Sequence, residues 1–148
     1  MEVHVRTARL TDIDSAVRLL ARGDADPMGR RDDVDYLRNL LFVPSATVAV
    51  AELDRRMIGA GVLSLRPSVR FGPFVGVIDA LGVAPDPLPD GVRRGRVADA
   101  LVEHLATSAR NKGCTRVEVS EPLVSAEPSL WKRQRFASRG RTLGRTFD

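Results

Sequence analysis

Arg93, Arg94 and Arg96 stand at the start of a segment whose apolar residues recur at helical spacing. The first turn of a helix leaves backbone N–H groups without partners and carries the positive end of the helix dipole. Guanidinium groups placed there make a site for negatively charged oxygen, phosphate above all. Other chemistry has less to start from. Cys114 is the only cysteine and can form no internal disulfide, and with His4 and His104 it makes no metal-ligand spacing. No partnering base accompanies Cys114 in the sequence, so its expected role is burial rather than covalent catalysis.

The elements that must position the arginines follow from periodicity. Residues 3–9 alternate as a half-buried strand, and Thr11 offers an N-cap to a helix with Ile13, Ala16, Val17 and Leu20 inward. Residues 23–29, with Asp24, Asp26 and Pro27, break that helix; Asp32 or Asp33 starts another with Tyr36, Leu37, Leu40 and Leu41 on its apolar side, stopped by Pro44. Residues 47–53 and 57–65 flank a short polar turn and predict a hairpin, in which Gly59 and Gly61 mark a bulge or a close backbone approach. After a loop at 67–73, residues 74–83 form the next strand, followed by a stiff connection containing Pro85, Pro87 and Pro89. A long helix over 95–111 turns Val97, Leu101, Val102, Leu105 and Ala109 inward and ends at Gly113. Residues 115–120 predict a strand, 121–127 a loop, 128–137 a short helix and 141–147 a terminal strand.

With 148 residues, 43% of them apolar, the chain can make one good core and would leave two halves marginal, so residues 1–148 are expected to form one domain. Apolar runs such as 46–51 and 76–83 are far shorter than the roughly 20 residues needed to cross a bilayer. An acid at position 2 and the immediate strand pattern read as an unprocessed, cytoplasmic start. Residues 1–92 carry 11 basic and 13 acidic side chains, whereas 93–148 carry 12 and 6, so the positive field belongs to the C-terminal part. Its placement at a helix start favours a small polyphosphate over nucleic acid, and 21 of the 23 basic residues are arginine, a compositional habit rather than a nucleic-acid signature.

The segment Leu81-Gly82-Val83-Ala84-Pro85, with the run from Arg93 to Leu105, resembles the acyl-CoA-binding motif of the GNAT family of N-acetyltransferases. Residues 113–119 fit that family's turn into its fifth strand, and the hairpin over 48–65 resembles its middle strands, so the resemblance covers nearly the whole chain. It implies an α/β three-layer fold with a central mixed, mainly antiparallel sheet flanked by helices. It also implies transfer of an acetyl or other short acyl group from acyl-CoA to a primary amine, a small molecule or a protein amino group, by direct attack. The family pattern is Gln or Arg, two residues, Gly, one residue, then Gly or Ala; here Arg93 takes the first place and Ala98 the last. Leu81, Val83, Arg93, Arg94, Gly95, Arg96, Val97, Ala98 and Trp131 are thereby expected to bind the cofactor. The Val83 amide is expected to polarise the acyl carbonyl, with Asp79 or Glu118 as base. A homodimer through the C-terminal strands also follows from the resemblance.

Three departures bear on this reading. Arg96 stands where the central glycine belongs, so it either obstructs the backbone's approach to phosphate or pairs with phosphate itself. Seven residues, 86–92, lengthen the passage from Pro85 to Arg93, as a rim loop or a surface insertion. Trp131 takes the place of the family's acid tyrosine, and indole is a very poor proton donor, so it is read as a pocket wall or as core. Tyr36 is assigned to packing or to substrate contact. The competing reading is a relative that keeps the fold as a CoA-sensing or protein-interaction module.

Overall fold

The chain turns sharply at Asp54 and Arg55, both left-handed with φ of 51° and 64°. Such a two-residue turn matches the twist of paired strands, and β2 (Ala46–Leu53) folds back on β3 (Arg56–Pro67) with Leu53 opposite Arg56. A computed structural model describes residues 2–20, 31–140 and 143–147. Within them β1 (His4–Thr7), β2, β3, β4 (Phe74–Val83) and β5 (Cys114–Val119) form one sheet in that order. All neighbours are antiparallel except β4 and β5. Helices α1 (Ile13–Leu20), α2 (Arg31–Leu40), α3 (Arg94–Asn111), α4 (Glu121–Ala126) and α5 (Pro128–Arg133) flank this mixed, mainly antiparallel sheet.

The two principal helices cover opposite faces. α3 buries the expected stripe of Val97, Leu101, Val102, Leu105 and Ala109, and it lies so close to the sheet that a Cβ on Gly59 would come within 2.8 Å of the Leu101 side chain. Gly59 is therefore a close-approach glycine. Gly82, on the neighbouring pair of the β3–β4 ladder, faces the other way, and a Cβ there would meet the Leu19 carbonyl of α1 at 2.1 Å. α1 buries Ile13, Ala16, Val17 and Leu20 as expected, with Leu19 in addition.

Several elements differ from expectation. The start of the first helical segment is fixed by the Asp12 carboxylate, which accepts the Arg9 N–H at 2.7 Å, rather than by Thr11. Residues 121–126 are helical, not a loop: an acid and a proline in the first turn favour a helix start. The following helix stops at Arg133, short of 137, because Arg135 takes a left-handed φ of 65°. Tyr36 is 63% exposed rather than packed, while Leu37 beside it is buried. Residues 143–147 form no strand, and Leu143 and Phe147 are exposed. The helix break expected at 23–29 lies outside the described residues, as do positions 141 and 142 of the expected terminal strand.

Arg6 ties β1 to β2 and to the approach of α1, reaching Asp12 at 2.7 Å and Glu52 at 2.8 Å with all three side chains mostly buried. The guanidinium holds both carboxyl groups below their ordinary values. Groups depressed in the folded state stabilise it fully above their unfolded pKa of about 4, and that contribution fades as pH falls through the folded values. Urea midpoints are expected to drop between pH 5 and pH 3 in the native chain. In Asp12→Asn the drop should be shallower, from a starting stability lower by about 2 kcal/mol.

Candidate active site

β4 and β5 pair only from Phe74 and Cys114 to Ile78 and Val119. Beyond that point β5 ends, and the chain turns at Ser120 into α4, whose Pro122 has no N–H to continue a ladder. β4 runs on through Asp79–Val83 with only β3 beside it. Asp79 is itself an extra residue in the strand: Ala80 faces Val62 and Ile78 faces Leu63, which leaves Asp79 without an opposite number on β3. A bulge of this kind bends a strand and strengthens its twist; past it β4 and β5 no longer pair, and a cleft of about 510 Å³ opens there. Leu20 of α1 and Ala98 of α3 both line it, so it passes through the sheet from one helical layer to the other.

The exposed edge of β4 supplies the cleft's polar atoms. Ala84 donates its N–H to Ile58 of β3 at 2.8 Å. Backbone groups alternate along an antiparallel strand, so Leu81 and Val83 turn their N–H and C=O groups away from β3 and into the cleft. At the cleft's end, α3 begins at Arg94 with Arg93 as its extended N-cap residue, and no side chain caps it. The Arg96 N–H reaches back to the Arg93 carbonyl at 3.0 Å and its side chain is exposed, so Arg96 is an ordinary helical residue that leaves the cleft open. Gly95 lies beside the Arg133 guanidinium of α5, which an ion pair to Asp99 at 3.3 Å holds in place.

Arg94 takes an unexpected course. Its Nε donates to the Ala84 carbonyl at 3.0 Å and its Nη2 to the Val83 carbonyl at 3.1 Å, with Glu127 4.0 Å away on the far wall. Sequence reasoning placed Arg94 at the helix start but gave no sign that its side chain folds back onto the strand. Leu20 and Glu127 were missed for the same reason: each reaches the cleft from a separate element, and neither belongs to a motif.

Of the expected site residues, Asp79, Leu81, Val83, Arg94, Ala98 and Trp131 line one cleft, and Arg93, Gly95, Arg96 and Val97 flank it at the start of α3. Trp131 is 3% exposed and donates its indole N–H to the Leu123 carbonyl at 2.8 Å, with Phe136 edge-on at 5.1 Å. Its one donor is thereby taken and it serves as a wall. Glu118 is elsewhere, paired with Arg66 at 3.1 Å and Arg116 at 2.5 Å. It lines a second cavity of about 930 Å³, with Trp131 between the two. Burial pushes the Cys114 thiol up, with Lys112 opposing, and holds His104 below its ordinary range, so neither is primed as a charged reactive group.

Residues 15–130 match the model of the acetyltransferase (GNAT) family. No curated protein matches the sequence. Among solved structures, a transcriptional regulator from Bacillus halodurans C-125 is similar over 99% of this chain and 100% of its own, with a TM-score of 0.79 and 14% identity. The aminoglycoside N-acetyltransferase AAC(6')-Iy in complex with CoA is similar over 99% and 95%, with a TM-score of 0.76 and 18% identity. The ribosomal-protein-alanine N-acetyltransferase from Brucella melitensis biovar Abortus 2308 is similar over 99% and 100%, with a TM-score of 0.74 and 22% identity. At these identities the likeness speaks for the fold.

Proposed function

Because the chain belongs to the GNAT family of acetyltransferases and takes acetyl-CoA as its acyl donor, we propose that it performs N-acetylation by direct attack of an amine inside the cleft between β4 and β5. The observation that carries this reading is the free edge of β4, where Val83 turns an unshared N–H toward a cleft lined from both faces of the sheet. An extended molecule bearing amide groups can lie along Leu81 and Val83 as an added strand would. The uncapped start of α3, with Arg93 and Arg96 exposed beside it, suits the phosphates. Gly95, Val97 and Ala98 complete that turn, and Trp131 closes the wall.

Acetyl-CoA supplies the activated acyl thioester. Val83 N–H stabilises charge on the acyl oxygen, a role that backbone donors fill well because they need no reorganisation. Asp79, exposed on the bulge at the cleft's rim, accepts a proton from the amine directly or through water as the N–C bond forms; the C–S bond then breaks and the CoA thiolate leaves, taking up a proton from solvent. Glu118 has no part in this: two guanidinium groups hold it on the other side of Trp131. The acceptor is a primary amine of a small molecule or a protein. We further read residues 1–148 as one domain working in the cytoplasm, and as a homodimer joined along the outer edge of β5, which pairs with no strand among the described residues. No helix is long and apolar enough to cross a membrane among the described residues.

Titration calorimetry with acetyl-CoA tests the reading. One site of micromolar affinity, about −8 kcal/mol, is expected. Arg96→Gly should bind roughly three- to tenfold more weakly, having lost a cation and weakened the first turn by about 1 kcal/mol. Absence of binding in both proteins would sink the proposal.

A further inference from the structure

We propose that Arg94 is a strap across the mouth of the cleft: it fixes the free end of β4, and its hold on Val83 must be released before an amide-bearing chain can lie along that strand. The inference rests on the acyl-CoA reading of the same cleft. A helical side chain tilts toward the helix N-terminus. That of Arg94 doubles back, with Nε on the Ala84 carbonyl and Nη2 on the Val83 carbonyl, and it forms part of the cleft lining. Val83 is buried, and its carbonyl lies on the edge that β5 has left, so a donor from outside the sheet must satisfy it. Arg94 is that donor. Glu127, 4.0 Å from Nη1, stands at the junction of α4 and α5 on the opposite wall, so one guanidinium bears on both sides of the opening. Both members of that pair are about two-fifths exposed, which makes it the weaker anchor.

Two consequences separate this role from that of a simple phosphate-binding cation. The strap competes with the pantetheine portion of the donor, because the guanidinium occupies the edge of β4 beside the Val83 carbonyl along which an amide-bearing chain would lie; the phosphates have no such conflict. The strap also restrains β4 when no ligand is present. Alanine at position 94 suits the first turn of a helix and removes a cation from its positive end, so the fold is expected to persist.

The experiment measures pantetheine and acetyl-CoA binding by calorimetry, and amide hydrogen exchange of the ligand-free protein, in the native chain, Arg94→Ala and Glu127→Gln. Arg94→Ala should bind pantetheine roughly three- to tenfold more tightly, and Glu127→Gln by about twofold at most. Exchange at residues 82–84 should quicken about fivefold or more in Arg94→Ala, with β2 unchanged. Unaltered exchange at 82–84 overturns the strap, as does pantetheine binding that the native chain shows and that is unchanged or weaker in Arg94→Ala. Quickened exchange in a protein that binds neither ligand would retain the strap and overturn the acyl-CoA reading instead.

Discussion

Gly82→Ala is expected to cost the chain at least about 3 kcal/mol and lower its melting temperature by about 6–12 °C. The new methyl group would sit 2.1 Å from the Leu19 oxygen, 2.7 Å from the Leu19 carbonyl carbon and 3.1 Å from the Leu20 nitrogen. All three are backbone atoms, so no rotamer change relieves the contact. Either α1 lifts off the sheet or the end of β4 shifts, and the second would also move Val83. The contrast is Gly95→Ala, where the nearest atom is the far end of the flexible Arg133 side chain at 3.6 Å. That variant should melt at the native temperature or up to about 4 °C above it, since alanine favours a helix over glycine by about 1 kcal/mol. Differential scanning calorimetry of the two decides whether the close approach of α1 to β4 is as the structure has it.

Val83→Pro should reduce kcat by about 10²- to 10³-fold, the usual cost of removing one donor to a developing oxyanion. Proline is normally excluded from an interior strand because it takes away a ladder hydrogen bond. Here the neighbouring Ala84 makes the bond to β3, and the Val83 N–H faces the cleft, so the substitution removes the functional donor and spares the sheet. Val83→Ala keeps the N–H and trims only the side chain; its kcat should fall by less than about tenfold. The acetyl-CoA affinity of the proline variant should stay within about tenfold of native. Equal losses of kcat in the proline and alanine variants would remove Val83 N–H from the mechanism.

The strands β1 to β5 and the inward stripe of α3 were legible in the sequence because each rests on a local period, two for the strands and 3.6 for the helix, whereas their mixed, mainly antiparallel arrangement was implied by the family resemblance. What escaped was set by partners distant in the chain. The bulge at Asp79 is a property of two strands in register and leaves no mark on the residues of one. Alternation could place Glu118 on a polar face but could not reveal that Arg66, 52 positions earlier, would meet it there. The chemistry of Trp131 makes it a poor acid in the sequence already, whereas the Leu123 carbonyl that engages its N–H depends on the unforeseen α4. Arg135 holds a left-handed conformation that costs a non-glycine residue about 1 kcal/mol; nothing in its side chain announces that.

The parallel pairing of β4 with β5 has a kinetic consequence. Phe74 and its partner Cys114 are forty positions apart, with α3 between them, whereas the β2–β3 hairpin closes over two residues. Loop-closure entropy makes such a distant contact slow to form. During synthesis the hairpin can assemble while the chain is still emerging, but the cleft has no second wall until residues 114–131 have followed. The antiparallel strands can therefore pair before β5 closes the cleft beside β4.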